Sequence, residues 1–157
     1  MGCRGVAHTR WATHGEPTSA NAHPHISGDR VALVHNGIIE NHASLRDALR
    51  AQGVEFRSET DTEVIVHLIN TSLEKGASLF DAVRETVAQL EGAYAIAVVD
   101  TEHENEVVVA REGSPLVLGV GIGETFAGSD TLALRQVTDT FVSVSYTHLT
   151  LPTTGSV

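Results

Sequence analysis

The chain has 157 residues, enough for one domain with a real core, and a formal net charge of -10. Its 10 Lys and Arg are scattered rather than gathered into a stripe, which argues against nucleic acid as a partner. A single cysteine allows no internal disulfide and no metal-type Cys pair, and no stretch is long and apolar enough to span a membrane, so a cytoplasmic protein without a membrane partner is expected. Met1-Gly2-Cys3-Arg4 has no signal-peptide core, and Val6 stands where a myristoylation signal needs Ser or Thr.

The first predicted element is a short strand over Gly5-Val6-Ala7, feeding the polar cluster His8-Thr9-Arg10-Trp11-Ala12-Thr13-His14-Gly15 at its end. Functional groups collect where strands run into loops. A stiff X-Pro turn, Asn21-Ala22-His23-Pro24-His25, precedes the apolar run Val31-Ala32-Leu33-Val34, which reads as a buried strand ending at His35-Asn36-Gly37. Asn-Gly is a strong hairpin signal. Here, however, the chain goes on into a helix started by Ser44 and Asp47, with Leu45, Ala48 and Leu49 on one side and Gly53 closing it, so the Asn36-Gly37 turn is expected to stay open for a ligand.

Phe56-Arg57 predicts a brief strand, and Thr60-Asp61-Thr62-Glu63 has the form of a capping box in front of Val64, Ile65, Leu68 and Ile69. Asp61 then stands at a helix start, either as a favourable first-turn residue or as a ligand group. Gly76 ends that helix, and Ser78 with Asp81 starts another whose Leu79, Val83, Val87 and Leu90 share a face up to Gly92. Beyond it, Tyr94 to Val99, Glu106 to Ala110, Leu116 to Val120 and Glu124 to Ala127 form a predicted strand meander, then a helical turn at Leu132 to Leu134 and a last strand from Phe141. Gly119, Gly121 and Gly123 lack the spacing and the following helix of a phosphate loop and read as hairpin glycines. Residues 143–157 carry no Asp, Glu, Lys or Arg; this break in composition reads as a non-native or disordered tail.

Arg10 suits a carboxylate, which a guanidinium holds through paired charge-assisted hydrogen bonds, and Asp61 suits an ammonium. Together they describe a clamp for an α-amino acid. The Asn36 amide beside the Gly37 N–H is a workable oxyanion hole, so the chemistry indicated is acyl transfer from an amino acid. A competing arrangement is a metal-dependent hydrolase using His8, His14, His23, His25, His35 and Asp61, although no pair has a known zinc spacing. Neither arrangement includes a convincing nucleophile, since Cys3 is the only thiol.

The motifs at His8 to Gly15, Asn21 to His25, His35-Asn36-Gly37-Ile38-Ile39-Glu40-Asn41-His42 and Ser58-Glu59-Thr60-Asp61-Thr62-Glu63-Val64, in that order, closely resemble the glutaminase domains of the class II glutamine amidotransferases, in the forms typical of the sugar-phosphate branch, the glutamine:fructose-6-phosphate amidotransferases. The resemblance implies an α+β fold, the four-layer αββα sandwich of N-terminal nucleophile hydrolases, with a partial glutaminase domain over residues 4–142. It implies that glutamine is hydrolysed through a thioester on an amino-terminal cysteine, without a cofactor and without a metal. Arg10, Thr13 and His14 would hold the glutamine carboxylate and Asp61 the α-amino group. Asn36 and Gly37 would form the oxyanion hole, and Trp11 would gate ammonia towards an isomerase domain of the same polypeptide, itself expected to form a homo-oligomer. In the family the cysteine is followed by a Gly-Ile-Val-Gly strand well ahead of the Arg-Trp motif, and Cys3 does not stand in that place. The chain is therefore expected to be an N-terminally truncated, inactive fragment; a non-catalytic glutamine-binding module is the alternative.

Overall fold

A computed structural model of the chain describes residues 4–10, 15–104, 106–144 and 148–152. A five-stranded antiparallel sheet has the order β1 (His25–Ser27), β2 (Val31–Ile39), β3 (Gly92–Asp100), β4 (Glu106–Glu112) and β8 (His148–Pro152). Three helices, α1 (His42–Ala51), α2 (Thr62–Glu74) and α3 (Leu79–Val87), follow one another between β2 and β3. The second sheet is the antiparallel set β6 (Thr125–Gly128), β5 (Val117–Val120) and β7 (Thr140–Ser143), with the short α4 (Thr131–Leu134) against β5 and β6.

Alternation along the strands of the larger sheet creates two cores. Val31, Leu33, Ile39, Ile96, Val98 and Val108 turn one face towards Leu49 of α1, Ile65 and Ile69 of α2 and Val83 of α3. Ala95 and Val109, one residue out of phase, face Leu118 of the second sheet and Leu116 just ahead of it. The expected hydrophobic faces of α2 and α3 are those that are buried, and Ser78 caps α3 by accepting the Asp81 amide at 3.1 Å. Gly121 and Gly123 lie in the β5–β6 hairpin, where the Gly121 amide donates to the Glu124 carbonyl at 2.9 Å.

Several local expectations are corrected. Gly5-Val6-Ala7 is not a strand: it pairs in no ladder among the described residues, and Gly5 and Val6 line a cavity with Ala97 and Val107 of one sheet and Phe126 of the other. Phe56-Arg57 is also not a strand, because Phe56 packs on the helical core beneath the Arg46 guanidinium, 4.4 Å above its ring, and the Arg57 amide is taken by Glu63. α1 starts at His42 rather than at Ser44, whose hydroxyl bonds the Asn41 carbonyl. Within the expected tail, residues 148–152 form β8 against β4.

The main correction concerns Asn36-Gly37, which is no turn. β2 runs through it for nine residues, in register with β3 from Val31 opposite Asp100 to Ile39 opposite Gly92. Gly37 has φ +132°, and a Cβ there would come within 2.0 Å of the Ala93 carbonyl oxygen. Gly37→Ala is accordingly expected to cost about 3 kcal/mol or more, read as a fall in the urea midpoint at unchanged slope. Gly53→Ala, at φ +89° with open space around it, should cost about 1 kcal/mol.

Candidate functional site

The site occupies a gap in the ladder. β1 pairs only with Val31 to Leu33, so from Val34 onward that edge of β2 has no strand partner among the described residues. The start of α2 approaches this edge instead, and Asp61 Oδ2 accepts the Ile39 amide at 2.8 Å. Asp61 itself is buried, 3 % exposed. Between them lies a cavity of about 250 Å³ lined by His8, Thr9, Arg10, His23, His35, Asn36, Gly37 and Thr60 to Thr62. The structure thus brings Arg10, Asn36, Gly37 and Asp61 to one cavity. Trp11, Thr13 and His14 lie outside the described residues.

The wall carrying Asp61 is held by a polar network that the expected capping box only partly anticipates. Glu63 reaches back past Thr60, accepting the Arg57 amide at 2.7 Å, the Ser58 amide at 2.7 Å and the Ser58 hydroxyl at 2.6 Å. Thr60 caps nothing; its hydroxyl lies 3.0 Å from both Ser58 Oγ and His25 Nε2. From α1, Arg46 donates to the Ser58 carbonyl at 2.9 Å and the Thr60 carbonyl at 2.6 Å. Asn21 adds a bridge, donating to the Glu16 carbonyl at 2.9 Å and accepting the Glu59 amide at 2.9 Å. Arg10 donates to the carbonyls of Gly15 and Glu16, both at 3.0 Å, so its guanidinium is tied to the same loop.

The histidines of the opening motifs converge here as well. His8 and His23 stack with ring centroids 4.2 Å apart, and His8 Nε2 lies 2.6 Å from Asn36 Oδ1. The Thr62 hydroxyl stands 2.9 Å from His35 Nδ1 and 3.2 Å from His23 Nε2. Having one proton, it can donate to no more than one of the two rings. No group of three or more His, Cys, Asp or Glu among the described residues is arranged to hold a metal ion. Sequence reasoning missed Arg46 and Thr62; Arg46 gives no signal in sequence, whereas Thr62 follows Asp61 directly within the Thr60-Asp61-Thr62-Glu63 motif.

A family model described as a glutamine amidotransferase domain matches residues 8–136. The chain is 59% identical over 141 residues to the glutamine--fructose-6-phosphate aminotransferase (isomerizing) of Acinetobacter baylyi, covering 90% of this chain and 23% of that protein. Its identity to the proteins of the same name from Salmonella typhi and Pseudomonas aeruginosa is 57% and 56%, again over 23% of their length. Among solved structures it resembles the glutamine phosphoribosylpyrophosphate amidotransferase of B. subtilis complexed with ADP and GMP, with 27% identity and a TM-score of 0.73, over 96% of this chain and 35% of that one.

Burial sets the charge state of the cavity wall. Desolvation, reinforced by the neighbouring His8, His25, His35 and Arg10, lowers His23 to about 3. His35 is lowered to about 4, mainly by desolvation and against the pull of Asp61; His25 is lowered in the same way. These rings are neutral at pH 7. Burial opposes ionisation of Glu63, but hydrogen bonds from His67, the Arg57 amide and Ser58 outweigh it and hold the carboxyl at about 2.

An unfolded histidine takes up its proton near 6.5, the folded His23 and His35 only near 3 and 4. Between those values the unfolded chain binds more protons, so stability falls as pH drops from 6.5 towards 4. Glu63 adds to the loss only below its ordinary value of 4.5. Urea midpoints measured from pH 7 to 4.5 should therefore decline, and a flat profile over that range would contradict this account of the histidines.

Proposed function

The chain belongs to the glutamine amidotransferase domain family, and on that premise we propose that its cavity binds L-glutamine for hydrolysis to glutamate and ammonia. The observation that carries the reading is the buried Asp61 carboxylate on a wall shared with Arg10 and the Asn36-Gly37 segment. An α-ammonium meets Asp61, the α-carboxylate meets Arg10, and the side-chain carboxamide reaches β2. There the Asn36 amide and the Gly37 N–H receive the charge that develops on the acyl oxygen when a thiolate attacks. Thr13 and His14 complete the carboxylate grip in this reading, and Trp11 gates the ammonia. The four-layer sandwich expected of an N-terminal nucleophile hydrolase agrees with the two antiparallel sheets and with the amidotransferase of similar fold.

The chain spans 23% of the length of its curated relatives, and for the longer protein we take the reaction from their name. Ammonia passes to an isomerase domain of the same polypeptide, where fructose 6-phosphate becomes glucosamine 6-phosphate in the cytoplasm. No cofactor is assigned to the glutaminase part, and a homo-oligomer is the assembly expected of the full-length enzyme. Residues 4–142 are part of the glutaminase domain in this reading.

Among the described residues no thiol lines the cavity, and Cys3 does not stand where the family's nucleophile does, so in this reading the 157-residue chain binds glutamine without turning it over. Calorimetry should give saturable glutamine binding that Asp61→Ala weakens at least tenfold, as expected on losing a charge-assisted bond. Ammonia release should stay at the level of buffer, with Cys3→Ala unchanged. Turnover abolished by Cys3→Ala would make Cys3 the nucleophile, and glutamine binding indifferent to Asp61→Ala would refute the clamp.

A further inference from the structure

His8 lines the cavity but has no part in the amino-acid clamp, and its ring meets the one side chain there whose function depends on which way round it is placed. We propose that His8 is a positioning residue that fixes the carboxamide of Asn36, holding its oxygen so that its NH2 group faces the glutamine. The proposal rests on the reading of Asn36 as a donor to the acyl oxygen.

A primary carboxamide is two-faced. Turned by half a revolution it presents an acceptor where it presented a donor, at almost the same volume. Asn36 is exposed on β2, and its two amide orientations fill nearly the same space, so hydrogen bonding has to choose between them. With its oxygen towards the substrate, two carbonyl-type acceptors would oppose each other and the developing charge would be repelled. With its nitrogen there, the site has a donor.

The proton of His8 makes the selection. His8 Nε2 is 2.6 Å from Asn36 Oδ1, and the other ring nitrogen, Nδ1, is buried with no hydrogen-bond partner among the described residues. A proton on Nδ1 would be a buried donor with nothing to bond, and the Nε2 lone pair would then favour the flipped amide. A proton on Nε2 leaves only an unused lone pair at Nδ1 and pairs with the Asn36 oxygen; orphaned buried donors are rarer than orphaned acceptors. The ring is also held in place from both sides. Arg4 donates to the Asp100, Glu106 and His103 carbonyls at the β3–β4 turn, and Arg10 to those of Gly15 and Glu16. The backbone from Arg4 to Arg10 is thus fastened at each end with His8 between, next to the stacked His23.

The test uses the 157-residue chain. Nitrogen-15 shifts of the His8 ring should show the proton on Nε2; a ring protonated on Nδ1 alone would overturn the proposal without any variant having to fold. In calorimetry, His8→Leu should weaken glutamine binding about tenfold, the scale of one hydrogen bond. His8→Gln, which can still donate to the Asn36 oxygen, should restore binding to within about threefold of wild type. Asn36→Ala should match His8→Leu, and the double variant should be no weaker than either single one, since both remove the same donor. Equal losses for His8→Gln and His8→Leu, or additive losses in the double variant, would refute the role of His8. Unchanged glutamine binding by Asn36→Ala would instead refute the donor reading of Asn36 itself.

Discussion

The hydrogen bond from the Ile39 amide to the Asp61 carboxylate is the contact on which the geometry of the site depends. It satisfies two needs at once. A strand edge without a neighbour leaves backbone amides that require acceptors, and a carboxylate out of water requires donors. β1 is too short to cover the end of β2, so the first turn of α2 does so with a side chain. The helix brings its positive end to the carboxylate, and what remains of the uncovered edge becomes the wall of a cavity.

This contact is kept in place from behind. Glu63, in the first turn of α2, gathers the amides of Arg57 and Ser58, while Arg46 crosses from α1 to the carbonyls of Ser58 and Thr60. A half-buried guanidinium and a buried carboxylate thus fix opposite polarities of one short backbone segment. Asp61 sits rigidly as a result, which suits the role proposed for it, since a fixed carboxylate meets an ammonium without the cost of additional ordering.

How far the sequence foretold this differs between elements for physical reasons. The helices α2 and α3 were legible because their apolar residues repeat on one face and because Ser78 and Gly76 punctuate them. The strands from Gly92 onward were legible as short β-rich runs between acidic or glycine-containing turns, but not their division between two sheets, in which β4 pairs with β8 and β5 with β6 and β7. Asn36-Gly37 misled because a turn dipeptide and a strand position that only glycine can occupy carry the same letters; the close approach of the Ala93 carbonyl, remote in sequence, decides between them. Gly5-Val6-Ala7 has a strand's composition but pairs in no ladder among the described residues. The capping box at Thr60 had the right residues and the wrong bonds, since tertiary partners, His25 for Thr60 and the Arg57 and Ser58 amides for Glu63, displaced the local ones. Of the site residues named from sequence, Arg10, Asn36, Gly37 and Asp61 meet at one cavity.

The unbroken pairing of β2 with β3 also limits how such a domain can change in length. Side chains alternate along β2, with His35 on the helical side and Asn36 on the other, and the whole nine-residue ladder shares one phase. One residue inserted or removed ahead of Asn36 would exchange the two faces, sending the carboxamide towards α2 and an imidazole towards the second sheet. Gly37 would also leave the position where the Ala93 carbonyl permits no Cβ. Variation in length is therefore confined to the connections outside the ladder, such as the turn before Val31 and the one after Asp100, whereas the strand itself is a ruler that descendants of this sequence can repaint but not lengthen.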